Sequence, residues 1–399
     1  MRARSRLVVW NLLILSALFG DAAPAIAAEV PERVALTHEQ TEDRSKFISQ
    51  VRKARQGDTE SQWQVGAIYV SLGDPARAFR LLKLAAEAGH TRAATLLARL
   101  YENGRGVAKS LDEANRWYGL AAERGDAGAI AALGRLLRGR PDAREEARRL
   151  FQMAAELGGS DGQYQLGLMW VDPTAESRDP VQAYGWFLKA ARQGHSGAQV
   201  AVATHLLVGL GVATDKKAAG EWLVRAAQQQ DPVAHYLLGR SREGDDEADP
   251  ELVQRSFRLA AIVGHREAQF ALASLLAKSD AATDRTEALE WFAKADEAGH
   301  RAAANRLGEL HRDWAKDEHQ MSMARNIFQR AAEQGNPDAM FNLAKMQHEG
   351  SGGQRDAAKA LEWFARAADA GHDKASELLG DLLNSSVKTS SLGLKGFWQ

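Results

Sequence analysis

The sequence predicts an all-α chain, a solenoid of about nine helix-turn-helix repeats, and three observations carry that expectation. The motif Ala-Ala-x-x-Gly recurs along the chain, with successive glycine positions 32 to 36 residues apart. An apolar stripe at helical spacing precedes each copy, as in Ala183, Trp186, Phe187, Ala190 and Ala191. A second stripe with small residues at i and i+5 stands between copies, as in Ala129, Leu133 and Gly134.

Composition narrows the function classes. The chain has 399 residues with 51 Lys+Arg against 52 Asp+Glu, and 45% of its residues are hydrophobic. A charged fraction of 26% beside that apolar content argues against disorder, and the balanced charge argues against nucleic acid as the dominant partner. With no cysteine there is no disulfide frame, thiol nucleophile, thiolate zinc site or lipid-acceptor thiol. A length that ordinarily implies two or three domains here reflects repeat number, because a linear stack needs no single large core.

Arg2, Arg4 and Arg6 precede an apolar run from Leu7 to Phe19, followed by Ala22, Ala23, Ala25, Ala27 and Ala28. This is the pattern of a secretory signal peptide over residues 1–28, and its apolar run is too short to span a bilayer. The mature chain is expected to be periplasmic or secreted, mildly acidic and without stable membrane insertion. Residues 29–44 read as a linker, 45–383 as the repeat array and 384–399 as a polar tail ending in Phe397-Trp398-Gln399.

Within the array, the closing glycines Gly57, Gly89, Gly125, Gly158, Gly194, Gly264, Gly299, Gly335 and Gly371 suit left-handed C′ positions, with Gln230 standing in at one turn. Asp231-Pro232 and Asn336-Pro337 place proline in a first helical turn, where its missing N–H costs nothing. Alternating small and large side chains let neighbouring helices approach while the Trp or Phe of the partner fills the gap. Repeat six departs from the pattern, with Val253, Ser256 and Phe257 in place of Ala, Trp and Phe.

Residues Leu97 to Val107, leading to Trp117-Tyr118, and Leu206 to Val212, leading to Trp222-Leu223, carry Gly-x-Gly-Val turns between helices. On these residues the chain resembles the Sel1-like repeat family, a branch of the tetratricopeptide-like helical hairpins, over about residues 45–383. Repeats one, eight and nine lack the Gly-x-Gly-Val turn; the ninth has Gly350-Ser351-Gly352-Gly353 instead. The resemblance implies a right-handed α-solenoid and a protein-binding scaffold without chemistry or cofactors of its own. It also implies envelope settings: complex assembly, exopolysaccharide-related work, or regulation of a membrane sensor kinase.

Chemical motifs give way to structural readings. Gly104-x-Gly106 and Gly209-x-Gly211 lie between helices, not after a strand as a nucleotide fingerprint requires. His90, His195, His265, His300 and His372 each follow a turn glycine, one per repeat, too far apart to share a metal; an N-cap role is expected. Ser385-Ser386-Val387-Lys388 matches the Ser-x-x-Lys pattern of penicillin-recognising hydrolases, but it sits in the tail without companion motifs. The acidic run Glu243–Asp249 has Pro250 where a calcium loop turns on glycine. Arg135, Arg138, Arg140, Arg144, Arg148 and Arg149 form one basic cluster, which fits contact with an acidic partner or polysaccharide, though such a run is more often a solvated helix face.

Protein partners, including envelope complex components, are therefore the expected ligands, held along a groove. In related solenoids the first helices line the concave face, which makes Tyr69, Tyr101, Trp170, His311 and Trp314 the candidate recognition residues. Capping of the core is an equally good account of Tyr69 and Tyr101. The tail either caps the last helix or serves as a peptide ligand.

Overall fold

The computed structural model describes residues 38–138, 140–172, 178–243 and 249–379, and among these it is helical without a strand. The expected leader, the start of the linker, the acidic loop 244–248 and the tail with Ser385 and Lys388 lie outside the described residues. No helix among the described residues is long and apolar enough to cross a membrane.

A leading helix, α1 (His38–Arg55), is followed by nine hairpins. Four are α2 (Thr59–Ser71) with α3 (Pro75–Glu87), α4 (Thr91–Asn103) with α5 (Leu111–Ala122), α6 (Ala127–Arg138) with α7 (Arg144–Glu156), and α8 (Ser160–Val171) with α9 (Pro180–Arg192). The remaining five begin with α10 (Ser196–Val208) and α11 (Lys216–Gln228), then α12 (Pro232–Arg242) and α13 (Pro250–Ile262), α14 (Arg266–Leu276) and α15 (Ala282–Glu297). They end with α16 (Ala303–Asp313) and α17 (Glu318–Glu333), then α18 (Pro337–Glu349) and α19 (Ala357–Asp369). Residues 373–379 are again helical. The described residues form two compact units that divide after Ala198, with Leu210–Ala213 belonging to the first.

The caps explain the boundaries. Asp58, Asp74, Ser110, Asp179, Asp215 and Asp356 each accept a backbone N–H of the helix they open. Proline stands in the first turn of α3, α9, α12, α13 and α18. Every closing glycine has positive φ, and Gln230 takes the same seat at φ 64° as the only non-glycine residue to do so among the described residues.

Inside each hairpin the small-against-large expectation takes atomic form. A Cβ added at Gly134, Gly167, Gly239 or Gly308 would lie 2.6–2.7 Å from the ring of Phe151, Phe187, Phe257 or Phe328. These four rings are fully buried, as are Tyr118 and Phe292. The second aromatic of each pair is thus the core residue, whereas its Trp neighbour ranges from buried to half-buried. Trp117 and Trp291 are buried, but Trp186, Trp222 and Trp363 are half-buried. Lys189, Arg225, Lys294 and Arg366, each three residues on from a Trp, cover those rings at 3.8–4.4 Å from the centroid.

Repeat six keeps the architecture despite its altered stripe, with Val253, Ser256, Phe257, Ala260 and Ala261 all buried on α13. The Gly-x-Gly turn joins neighbouring hairpins. A Cβ at Gly106 would lie 2.4 Å from the carbonyl of Pro75, and one at Gly211 equally close to that of Pro180. In the ninth repeat Gly352, at φ 68°, comes as near to the Met321 carbonyl, 2.5 Å. The divergent Gly-Ser-Gly-Gly turn therefore makes the same close approach.

Candidate partner-binding surface

The five candidate residues do not converge on one pocket. Tyr69, on α2, is buried in the core beneath Arg77, whose guanidinium lies 5.9 Å from the ring centroid. Tyr101, on α4, is half-buried and meets Phe79 edge-on at 5.5 Å. Burial pushes both phenols above their ordinary pKa. Tyr69 is thus a core residue and Tyr101 lies at the core margin.

Trp170 and Trp314 are more available. Trp170, near the end of α8, is half-buried on the core cluster of Ala147, Phe151, Ala155 and Leu166, and Arg148 stands 5.2 Å over its ring. Trp314, just past α16, is half-buried with Arg285 5.4 Å over its ring. His311 lies one turn earlier, half-buried, and burial alone holds its imidazole below the ordinary pKa. Each Trp is thus half-buried beside a cation at the end of a first helix, and only His311 and Trp314 share one helix end.

Between α16 and α18 the first-helix face carries a polar network. Asn342 Nδ2 donates to Asn305 Oδ1 at 2.9 Å, Asn305 donates to Glu309 at 3.1 Å, and Arg312 donates to Asn342 Oδ1 at 3.2 Å. A cleft of about 680 Å³ opens nearby, lined by Asp296, His300, Arg301, Gln334, Asn336 and Pro337 among others. None of the five candidates lines it.

The turn histidines do something that the N-cap expectation captured only in part. Nδ1 of His90, His195, His265 and His372 accepts the N–H three residues on, at 3.1–3.2 Å. Each of these rings also lies against an aromatic on the first helix of the preceding hairpin: Trp63, Tyr164, Tyr236 and Phe341, with centroids 4.5–5.1 Å apart. His300 stacks on Phe270 at 4.1 Å, but the helix after it begins later and its buried Nδ1 has no hydrogen-bond partner. An Nδ1 that accepts puts the proton on Nε2, which then donates to a carboxylate: Glu60 at 3.0 Å for His90 and Asp161 at 3.1 Å for His195. The bond from His195 holds the Asp161 carboxyl below its ordinary pKa, and that from His90 does so for Glu60.

The sequence carries a signal for this staple that single-repeat reading misses. Where the turn residue is His, the aromatic position one hairpin earlier is Trp, Tyr or Phe. Where the turn residue is Asp126, Gly159, Asp231 or Asn336, that position is Thr95, Ala131, Val200 or Asn305. Buried glutamines add a second tie, since Gln62, Gln163 and Gln269 donate to the carbonyls of Ala54, Ala155 and Ala261 at the end of the preceding helix. Among the described residues no group of three or more His, Asp or Glu is placed to hold a metal ion.

Comparison with known proteins agrees with this geometry. An exopolysaccharide production negative regulator of Rhizobium meliloti is 35% identical over 133 residues, 29% of this chain and 50% of that protein. An uncharacterised protein of Neisseria meningitidis is 27% identical over 239 residues, 58% of this chain and 49% of the other. The chain thus spans about half the length of these relatives. Among solved structures, c5321, a protective antigen of uropathogenic Escherichia coli with an SLR fold, aligns with a TM-score of 0.59 at 27% identity, covering 86% of this chain and 74% of that one. The sequence model of the Sel1 repeat matches residues 60–90, 91–126, 127–159, 160–195, 196–231, 266–300, 301–336 and 337–372. With matched repeats over most of its length and the hairpin geometry to accompany them, the chain belongs to the Sel1 repeat family.

Proposed function

We propose that this chain is an exported, non-enzymatic scaffold that binds partner proteins along the first-helix faces of its hairpins and acts in control of exopolysaccharide production. The observation that carries this reading is the family membership together with the regulators of exopolysaccharide production among its relatives. The candidates are compatible with it: within its own compact unit, Trp170 stands half-buried beside Arg148, and within the other Trp314 stands half-buried beside Arg285, each an aromatic–cation pair of the kind that protein interfaces use. The word regulator in those relatives' names favours, within this reading, a partner that is itself a signalling or export component of the envelope.

The test is affinity capture with crosslinking from the native envelope, using the full chain and variants Trp170→Ala and Trp314→Ala, with Glu290→Ala on the exposed face of α15 as a control. Loss of the same partners in the Trp variants and their retention in the control support the surface. Equal loss, or equal retention, in all three refutes it. Fractionation of the intact chain tests export separately, and the yield of extracellular polysaccharide in a deletion strain tests the process.

A further inference from the structure

The family's sequence model leaves out residues 232–265, which hold α12 and α13. That hairpin folds as its neighbours do. Single apolar residues are exposed along other second helices too, as at Leu84, Met153, Leu157 and Met323, but only on α13 are the same four positions all apolar together. These are Leu252, Leu259, Ile262 and Val263, which are 43%, 37%, 65% and 63% exposed. Ile262 holds a position that is charged or an amide in each of the other eight hairpins, for example Glu87, Glu297 and Glu333. The counterparts of Leu252 include Arg77, Glu113, Glu287 and Lys359. The buried stripe that recurs in every second helix is thus joined on α13 by an exposed apolar one.

Val224 of α11 extends the patch. Arg258 forms an ion pair with Glu287 of the next hairpin, and in the repeat register Val224 and Leu252 are the counterparts of that pair one hairpin earlier. Val224 is itself 40% exposed. The register therefore sets two exposed aliphatic side chains together where the next interface has opposite charges.

We propose that this face of α13 is a self-association surface on which a second copy of the chain docks its own α13, antiparallel, about a two-fold axis. The stripe is self-complementary. Leu252, Leu259 and Val263 stand at i, i+7 and i+11, so they line one side of the helix over its length. Setting Leu252 opposite the partner's Val263 also sets Asp249, which caps its own helix, opposite the partner's Arg266, whose Nε pairs with Glu267 and whose guanidinium carries further donors. The same arrangement opposes the two helix dipoles. It offsets the two Arg255 side chains, which share the face, by roughly 7 Å along the axis. A two-fold contact of this kind closes on itself and gives a dimer, not a filament.

The exposed parts of these five side chains amount to on the order of 400 Å² per copy, about half of what a stable interface buries. The dimer is therefore a weak, transient one. The surface lies on the second-helix face and is independent of the partner reading above.

Sedimentation velocity of the full mature chain from about 5 to 500 μM is expected to show a reversible monomer–dimer equilibrium. Ile262→Glu with Val263→Gln, the pair found as Glu333-Gln334, should weaken it at least tenfold while leaving the far-UV spectrum and melting temperature unchanged. Because the chain has no cysteine, orientation can be read directly. A mixture of Leu252→Cys and Val263→Cys chains should form a disulfide-linked dimer under mild oxidation, whereas either variant alone should not, its two thiols lying about 16 Å apart along the axis. A wild-type chain that stays monomeric throughout, a dimer indifferent to the Glu-Gln variant, or equal crosslinking in the single-variant samples would each overturn the proposal.

Discussion

Replacing Gly106 by Ala separates two costs that usually arrive together. Gly106 has φ +71°, and a Cβ there would lie 2.4 Å from the carbonyl carbon and oxygen of Pro75 and 2.7 Å from the nitrogen of Ala76. The left-handed conformation costs an alanine about 1–2 kcal/mol. The collision is with backbone at the start of α3, held by the Asp74 cap to Arg77 N–H at 3.1 Å, so it cannot be relieved by a rotamer change and adds about 1–3 kcal/mol. Gly125 supplies the control: its φ is +78° and no atom lies within 4 Å of its would-be Cβ. Gly125→Ala should carry only the conformational cost, partly offset by about 0.4–1 kcal/mol from a stiffer unfolded chain. Urea unfolding followed by circular dichroism, with hydrogen exchange read in α3 and α4, should place Gly106→Ala about 1–3 kcal/mol below Gly125→Ala. Equal losses to within about 0.5 kcal/mol would show that the Gly-x-Gly turn bears no contact energy between hairpins.

Tyr164→Leu, His195→Asn and the double variant form a thermodynamic cycle; Asn keeps the cap, as Asn336 does with Ala339 N–H at 3.0 Å, and a coupling of about 0.5–1.5 kcal/mol is expected. A coupling near zero would dissolve the staple into a simple cap. At His265 burial lowers the imidazole pKa, against the pull of Glu267. The folded state there favours the neutral ring, so this contribution is present above the ordinary value of 6.5 and is lost as pH falls below it. His265→Asn should flatten the fall in melting temperature between about pH 7 and 5, and an unchanged slope would count against the argument. Gly167→Ala meets Phe187 Cδ1 and Cε1 at 2.6 Å and should cost about 1–3 kcal/mol, with most of it recovered by Phe187→Leu. A melting curve insensitive to the second change would place the strain elsewhere.

Within each hairpin the fold was legible from the sequence because its determinants are short-range: the Ala-Ala pair, the closing glycine and the capping residue lie within one helix or turn. Phe187 and Gly167 announced themselves as large and small partners in the same repeat. What reading repeat by repeat did not yield lies between hairpins. Trp63 and His90, or Phe341 and His372, are partners about thirty residues apart, and each alone satisfies a local rule, aromatic on a helix or polar residue at a turn. The Trp of each second helix looked committed to the core because helical spacing gives direction, not depth. For Trp186, Trp222 and Trp363 the Lys or Arg three residues on covers a ring that is only half-buried, while Trp291 is buried beneath the same kind of cation. Tyr69 and Trp170 illustrate the same gap, occupying the same repeat position but ending buried and half-buried.

Gln230 gives the array a graded rather than uniform resistance to opening. Each hairpin depends on the turns that join it to its neighbours, and nine of these closing turns among the described residues rest on glycine while this one holds a side chain in the left-handed region. A penalty of about 1 kcal/mol is a factor of roughly five in the population of the locally open state. Breathing motions should therefore start where α11 hands over to α12, and Gln230→Gly should slow hydrogen exchange there first. Thermal noise in a repeat protein is spread along one dimension, and one residue in the wrong conformational class is enough to decide where it collects.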